Sequence, residues 1–190
     1  NYHFRRGCLI EVPDVGVEEL IASWSGSIKR FTFEEKMHFV KDYTLKTISF
    51  FLINRTKDEL CNLITQSIGF FGNALSTKDM HFRIIQLFTI LESLILDDDN
   101  NKDMGAKTKK RIAKLFTDDP VERENIKDLI NEFYYVRNKM VHKAIRLPLN
   151  VQKLSRFQFL VFETLLKYIA YTEKYTSKNE IINEINAKIF

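Results

Sequence analysis

The 190-residue sequence predicts an all-α fold, an antiparallel bundle of four to five long helices behind a short irregular or β segment. Three observations carry this. Helix breakers are few, with six glycines and three prolines, and Gly7, Pro13, Gly16 and Gly26 all lie in the first stretch of chain. A many-stranded β-protein needs a turn signal about every 8–12 residues, which the remainder cannot supply. Beyond residue 30, apolar residues recur at three- and four-residue spacing, punctuated by helix-start signals. Residues 1–30 are therefore expected to be the tail of a preceding domain or a linker, and residues 31–190 one helical domain.

In chain order, Cys8–Val12 reads as a short strand ended by Pro13-Asp14, and Val17–Trp24 as a short helix. Thr32-Phe33-Glu34-Glu35 opens a helix to about Ile53, with acidic residues in the first turn where the helix dipole favours them. Thr56 and Glu59 have capping-box spacing and open a second helix to about Leu75. Ser76-Thr77 is expected to cap a third, in which Ile84, Leu87, Phe88, Leu91, Leu94 and Ile95 form a buried stripe ended by the acidic run 97–101. A basic helix over about Lys107–Phe116 follows. Thr117-Asp118-Asp119-Pro120 then starts a helix over about Val121–Lys143, with Ile126, Leu129, Ile130, Phe133 and Met140 on one face. After Pro148 come a long helix over about Val151–Tyr175 and a polar one from Ser177. The short connections favour antiparallel neighbours.

Composition removes several function classes. The net charge of +4 is too small for nucleic-acid binding by charge alone. No apolar run can span a bilayer, and Asn1–Arg6 lead into only a short apolar stretch, so neither a membrane partner nor a signal peptide is expected. The chain opens on Asn1 rather than Met and is expected to be part of a longer protein. Cys8 and Cys61 make neither a disulfide framework nor a metal site, which suits a reducing, cytoplasmic setting. Asp97-Asp98-Asp99-Asn100-Asn101 fails as a calcium loop: the sixth and twelfth positions, which require Gly and Glu, are Lys102 and Thr108. It reads as a solvated acidic loop. His3, His38, His81 and His142 lack a histidine partner at i+4, and no nucleotide-binding or hydrolase motif is present, so no metal and no cofactor is expected.

The informative segment is Arg137-Asn138-Lys139-Met140-Val141-His142-Lys143. On an α-helix Asn138 and His142 share a face, while Arg137 falls beside the apolar stripe. A guanidinium there needs a carboxylate, a helix end or a phosphate to face. Arg137 and His142 stand about 140° apart on one ideal helix, so wrapping of the long Arg stem, loosening of the helix end or a second chain is needed to join them. A purely structural account stays open beside this one. His142 and Lys143 would favour a helix C-terminus, and Arg137 would pair with a core carboxylate such as Glu92.

The segment Arg137-Asn138-(three residues)-His142 resembles the R-x(4–6)-H signature of HEPN domains. The longer series resembles the Apea-like HEPN branch: Phe82-Arg83, Ile90-Leu91-Glu92-Ser93-Leu94-Ile95, Lys110-Arg111-Ile112-Ala113, Glu122-Arg123, then Phe133 to His142. Order and spacing fit over roughly residues 80–170. Two departures stand out: Asn138 where the branch often has Ser, and Lys143 where it often has Gly.

The resemblance implies a helical bundle that forms a homodimer with two motifs facing one cleft. It also implies a metal-independent endoribonuclease of a toxin, antiviral-defence or RNA-processing system, or an inactive relative that binds RNA or a partner protein. An antitoxin, or an N-terminal sensor domain of a longer chain, would be a further partner. In this scheme the 2′-hydroxyl of RNA attacks the adjacent phosphate. His142 moves protons, Arg137 meets charge on the phosphate oxygens, and Asn138 orients His142 or donates to phosphate. Lys139 and Lys143 would hold flanking phosphates, and Glu92 would orient Arg137.

Overall fold

The computed structural model describes residues 9–11, 19–21, 44–56, 58–97 and 103–188. Near the N-terminus, β1 (Leu9–Glu11) pairs antiparallel with β2 (Glu19–Ile21), with Leu9 opposite Ile21 and Ile10 opposite Leu20. Glu19–Ile21 thus form a strand where the sequence predicts a helix over Val17–Trp24. One or two helical turns cannot offset the cost of nucleation, whereas a ladder satisfies the backbone of both segments at once.

Seven helices follow among the described residues: α1 (Thr44–Asn54), α2 (Glu59–Ser76), α3 (Met80–Ile95), α4 (Met104–Phe116), α5 (Pro120–Lys143), α6 (Val151–Tyr171) and α7 (Lys178–Ala187). The expected helix start at Thr32–Glu35 lies outside the described residues. Two expected caps move. Asp58, not Thr56, caps α2, its Oδ1 accepting from the Cys61 amide at 2.7 Å while the Thr56 hydroxyl donates to its other oxygen. Asp79, not Ser76-Thr77, caps α3 by accepting from the His81 and Phe82 amides. Thr77 instead ends α2. In both places a carboxylate stands directly before the first helical residue and outcompetes a more distant hydroxyl for the free amides. Asp119 caps α5 with Pro120 in its first turn, and Ser177 with Glu180 forms a full capping box on α7. Helix α6 stops at Tyr171, short of the expected Tyr175, because the chain turns through Thr172–Lys174.

Helix α3 is the axis of the fold and packs against α2, α4, α5, α6 and α7. All six residues of its expected stripe are buried, and so are Arg83 and Ile90. An aromatic stack joins three helices: Phe157 lies 5.0 Å from both Phe88 and Phe133, ring centre to ring centre. On α5, Ile130, Phe133 and Val136 are buried, Ile126 and Leu129 pack partly against the core, and Met140 is half-exposed.

Buried cations on α4 close the helix ends. Arg111 donates to the Ile95 carbonyl at 2.8 Å and to Asp97 at 2.8 Å, and Lys114 donates to the carbonyls of Asn186 and Lys188. Carbonyls left over at a helix C-terminus attract positive charge, so these contacts satisfy both partners. Asp97 therefore serves a buried arginine rather than a solvated loop; residues 98–101 lie outside the described residues.

Phe157 is fully enclosed at the meeting point of α3, α5 and α6. Phe157→Ala should destabilise the domain by about 3–5 kcal/mol, read as a lower urea midpoint with the unfolding slope unchanged.

Candidate functional site

Helix α5 places Arg137, Asn138, Lys139, His142 and Lys143 on one unbroken element ending at Lys143. The arginine is the organised member. Its Nη2 donates to Glu92 Oε2 of α3 at 3.4 Å, and its Nη1 to the neighbouring Asn138 Oδ1 at 3.1 Å. Both side chains of the ion pair are largely enclosed, 19% exposed for Arg137 and 16% for Glu92. Arg137 Nε and Glu92 Oε1 are buried and have no hydrogen-bond partner. They are the remaining halves of a fork-to-fork pair, so a small carboxylate rotation would complete a bidentate contact.

A second contact sets the guanidinium's height. Its central carbon lies 5.7 Å from the centre of the Tyr134 ring, within cation–π range. Tyr134 in turn rests edge-on to Phe88, with centroids 5.5 Å apart, and over Gly105 of α4. A Cβ at Gly105 would meet the Tyr134 ring at 2.7 Å, so only glycine allows this approach of α4 to α5. Sequence reasoning missed Tyr134 and Gly105. Tyr134 stands one helical turn before Arg137, and a lone glycine within a basic helix was the available signal.

His142 is exposed and has no hydrogen-bond or ion-pair partner among the described residues. Because α5 stays helical through Lys143, it does not loosen before His142, and the two motif residues keep to different faces. Lys139 is half-exposed with Nζ 5.0 Å over the Tyr135 ring, and Lys143 is exposed. The structure thus brings Glu92, Arg137 and Asn138 together and leaves His142, Lys139 and Lys143 on the outer surface.

Just beyond the motif, Ala144 adopts a left-handed conformation with φ 53°. It ends α5, its amide donating to Met140 O, while the Ile145 amide donates to Lys139 O. The following strap is pinned to the start of α3. Arg146 Nη2 donates to Asp79 Oδ2 at 2.5 Å, and His81 Nε2 lies 2.9 Å from the Leu147 carbonyl. Among the described residues one concavity lies among Thr47, Phe50, Phe51, Cys61, Ile169 and Ala170, and another beside the strap. Neither includes Arg137 or His142. Among the described residues, no cluster of three His, Cys, Asp or Glu side chains could hold a metal, and no helix is long and apolar enough to cross a membrane.

Compared with known proteins, the chain matches no family model, and no curated protein or solved structure is found similar to it.

Burial pushes the Glu92 carboxyl above its ordinary value, and the Arg137 guanidinium pulls it part of the way back. A carboxyl raised in the folded state binds its proton more tightly there than in the unfolded chain. Glu92 therefore lowers stability at neutral pH, and this penalty fades as pH falls through its raised folded value towards the ordinary one. In a carboxyl-carbon NMR titration Glu92 should titrate above an exposed glutamate, and higher still in Arg137→Ala, which loses the lowering charge. A Glu92 titrating at or below ordinary glutamates would contradict the burial described here.

Ala144→Gly should stabilise the domain. The left-handed conformation costs a Cβ-bearing residue roughly 1–2 kcal/mol, against which glycine's added freedom in the unfolded chain takes back up to about 1 kcal/mol. The expected gain of about 1 kcal/mol corresponds to a melting temperature higher by about 2–4 °C.

Proposed function

We propose that this helical domain is a HEPN-like, metal-independent endoribonuclease that cleaves single-stranded RNA and acts as a homodimer. The observation that carries the reading is the treatment of Arg137. Glu92 and Asn138 fix one side of the guanidinium, as a phosphate-binding fork requires, while His142 on the same helix is left accessible and unpaired. The same helix thus presents a held guanidinium and an accessible imidazole, the two groups this chemistry needs.

In the proposed reaction the 2′-hydroxyl oxygen attacks the adjacent phosphorus, and its proton passes to neutral His142. The bond from phosphorus to the 5′-oxygen breaks, and an imidazolium returns a proton to that oxygen. The products carry a 2′,3′-cyclic phosphate and a 5′-hydroxyl. Arg137 neutralises charge growing on the non-bridging oxygens, and its planar fork matches two of them. Asn138 donates from its amide to phosphate or to His142, Lys139 and Lys143 hold flanking phosphates, and Glu92 is a positioning residue. Because Arg137 and His142 occupy different faces of α5, the proposed two-fold dimer sets Arg137 of one copy beside His142 of the other. A cytoplasmic toxin, antiviral or RNA-processing setting is the environment this chemistry suits.

A second reading is a HEPN-like module without activity that binds RNA or a partner protein. It is favoured by the engagement of Arg137 within its own chain.

One experiment separates them: the purified chain, unstructured RNA and EDTA. Wild type should cleave RNA and leave DNA intact, since DNA lacks the attacking hydroxyl. His142→Ala should lose about 10²–10⁴-fold in rate and Arg137→Ala about 10²–10³-fold, with Arg137→Lys only partly restored. Cleavage that is equal in wild type and His142→Ala rejects the nuclease reading. RNA binding without any cleavage selects the second. Sedimentation at roughly tens of micromolar should give a dimer.

A further inference from the structure

The concavity beside the strap has no part in the chemistry proposed above, yet it adjoins the end of α5. It is lined by Lys78, Met80, His81, Arg146, Leu147 and Val151, together with Asp79 and Leu149, and measures about 620 Å³. It is a shallow depression, widely open to solvent. Its lining includes accessible apolar surface: Met80 is 40% and Val151 62% exposed. Its rim is cationic. Lys78 is exposed and has no partner among the described residues. The one carboxylate present, Asp79, is already committed to Arg146 and to the first amides of α3. The walls are held in place, because the His81–Leu147 and Arg146–Asp79 contacts fasten the strap to α3.

Position relative to the motif gives this concavity its meaning. Arg146 follows His142 by four residues. Along α3, His81 and Glu92 are separated by about 16 Å of helix, a span of a few nucleotides. Apolar surface beside an unpaired cation, at that distance from a phosphate-binding arginine, matches the alternation of base and phosphate along a single strand.

We infer that the concavity between the start of α3 and the 144–150 strap is a subsite for single-stranded RNA flanking the scissile phosphate. A base lies against Met80, Leu147 and Val151, and the adjoining phosphate faces Lys78. The inference rests on the RNA-cleavage reading and adds to it a reason for preferring longer strands.

The test uses the full chain and 2′-O-methyl oligonucleotides, which cannot be cut because the attacking hydroxyl is blocked. Fluorescence anisotropy compares a dinucleotide with an eight-nucleotide strand. Wild type should bind the longer strand at least about tenfold more tightly. Lys78→Glu and Val151→Asp, both changes of exposed side chains, should each remove most of that gain. Lys78→Ala should flatten the salt dependence by about 0.7 in log–log slope, the share of one phosphate contact on a single strand. If the variants keep the wild-type length dependence and salt slope while wild type still cleaves RNA, the subsite is overturned and the nuclease reading stands. If wild type neither cleaves RNA nor binds the longer strand, both fall together.

Discussion

Helix α3 is covered by five neighbours, and that enclosure governs the rest of the domain. Apart from Met80, Phe82 and Thr89, which stay exposed, its surface faces other helices, so a charge there must find its partner within the bundle. Arg83 turns back to the Thr77 carbonyl at the end of the preceding helix. The carbonyls of Leu94 and Ile95 are taken by Tyr168 and Arg111. Glu92 is the acidic member of the series, and α5 supplies the cation it requires. The Arg137–Glu92 pair follows from where α3 lies, and it fixes the orientation of α5 towards the core at the point where the motif begins.

The pair also divides the motif into a rigid half and a free half. Arg137 is bounded by a carboxylate, an amide and an aromatic ring, with a glycine beneath the ring. His142 is bounded by solvent. In the proposed reaction this division would suit both groups: confinement would order Arg137 before phosphate arrives, and exposure would let His142 exchange protons with water.

Much of this was legible in the sequence because it depends on local periodicity. The α3 stripe, the α5 stripe through Phe133, the Ser177–Glu180 box and the Glu92–Arg137 partnership all follow from spacing and from the cost of an isolated buried charge. What was not legible depends on competition or on distant approach. Thr56 and Ser76-Thr77 were plausible caps until Asp58 and Asp79 are seen to stand closer to the free amides. Asp97 reads as solvated until Arg111, fourteen residues on, is seen to reach it. Glu19–Ile21 take their form from pairing with β1, which the apolar spacing of Val17–Trp24 by itself does not show. Tyr134 reads as an ordinary half-buried aromatic, and only the packing of α4 shows why Gly105 must sit beneath it.

The contacts of Lys114 with the carbonyls of Asn186 and Lys188 have a consequence for how the domain comes into being. Ile181, Ile182 and Ile185 complete the core from α7, the last helix described. Until residues 178–188 have left the ribosome, α3 and α4 lack one wall, and the Lys114 ammonium has no carbonyls to enclose it. The nascent chain therefore passes through a stage in which most of the bundle exists but its apolar seam is open, the state most exposed to chaperones and to aggregation. Closure by α7 thus joins two parts of the domain far apart in sequence, because the core is complete only when residues 178–188 have docked on α3 and α4.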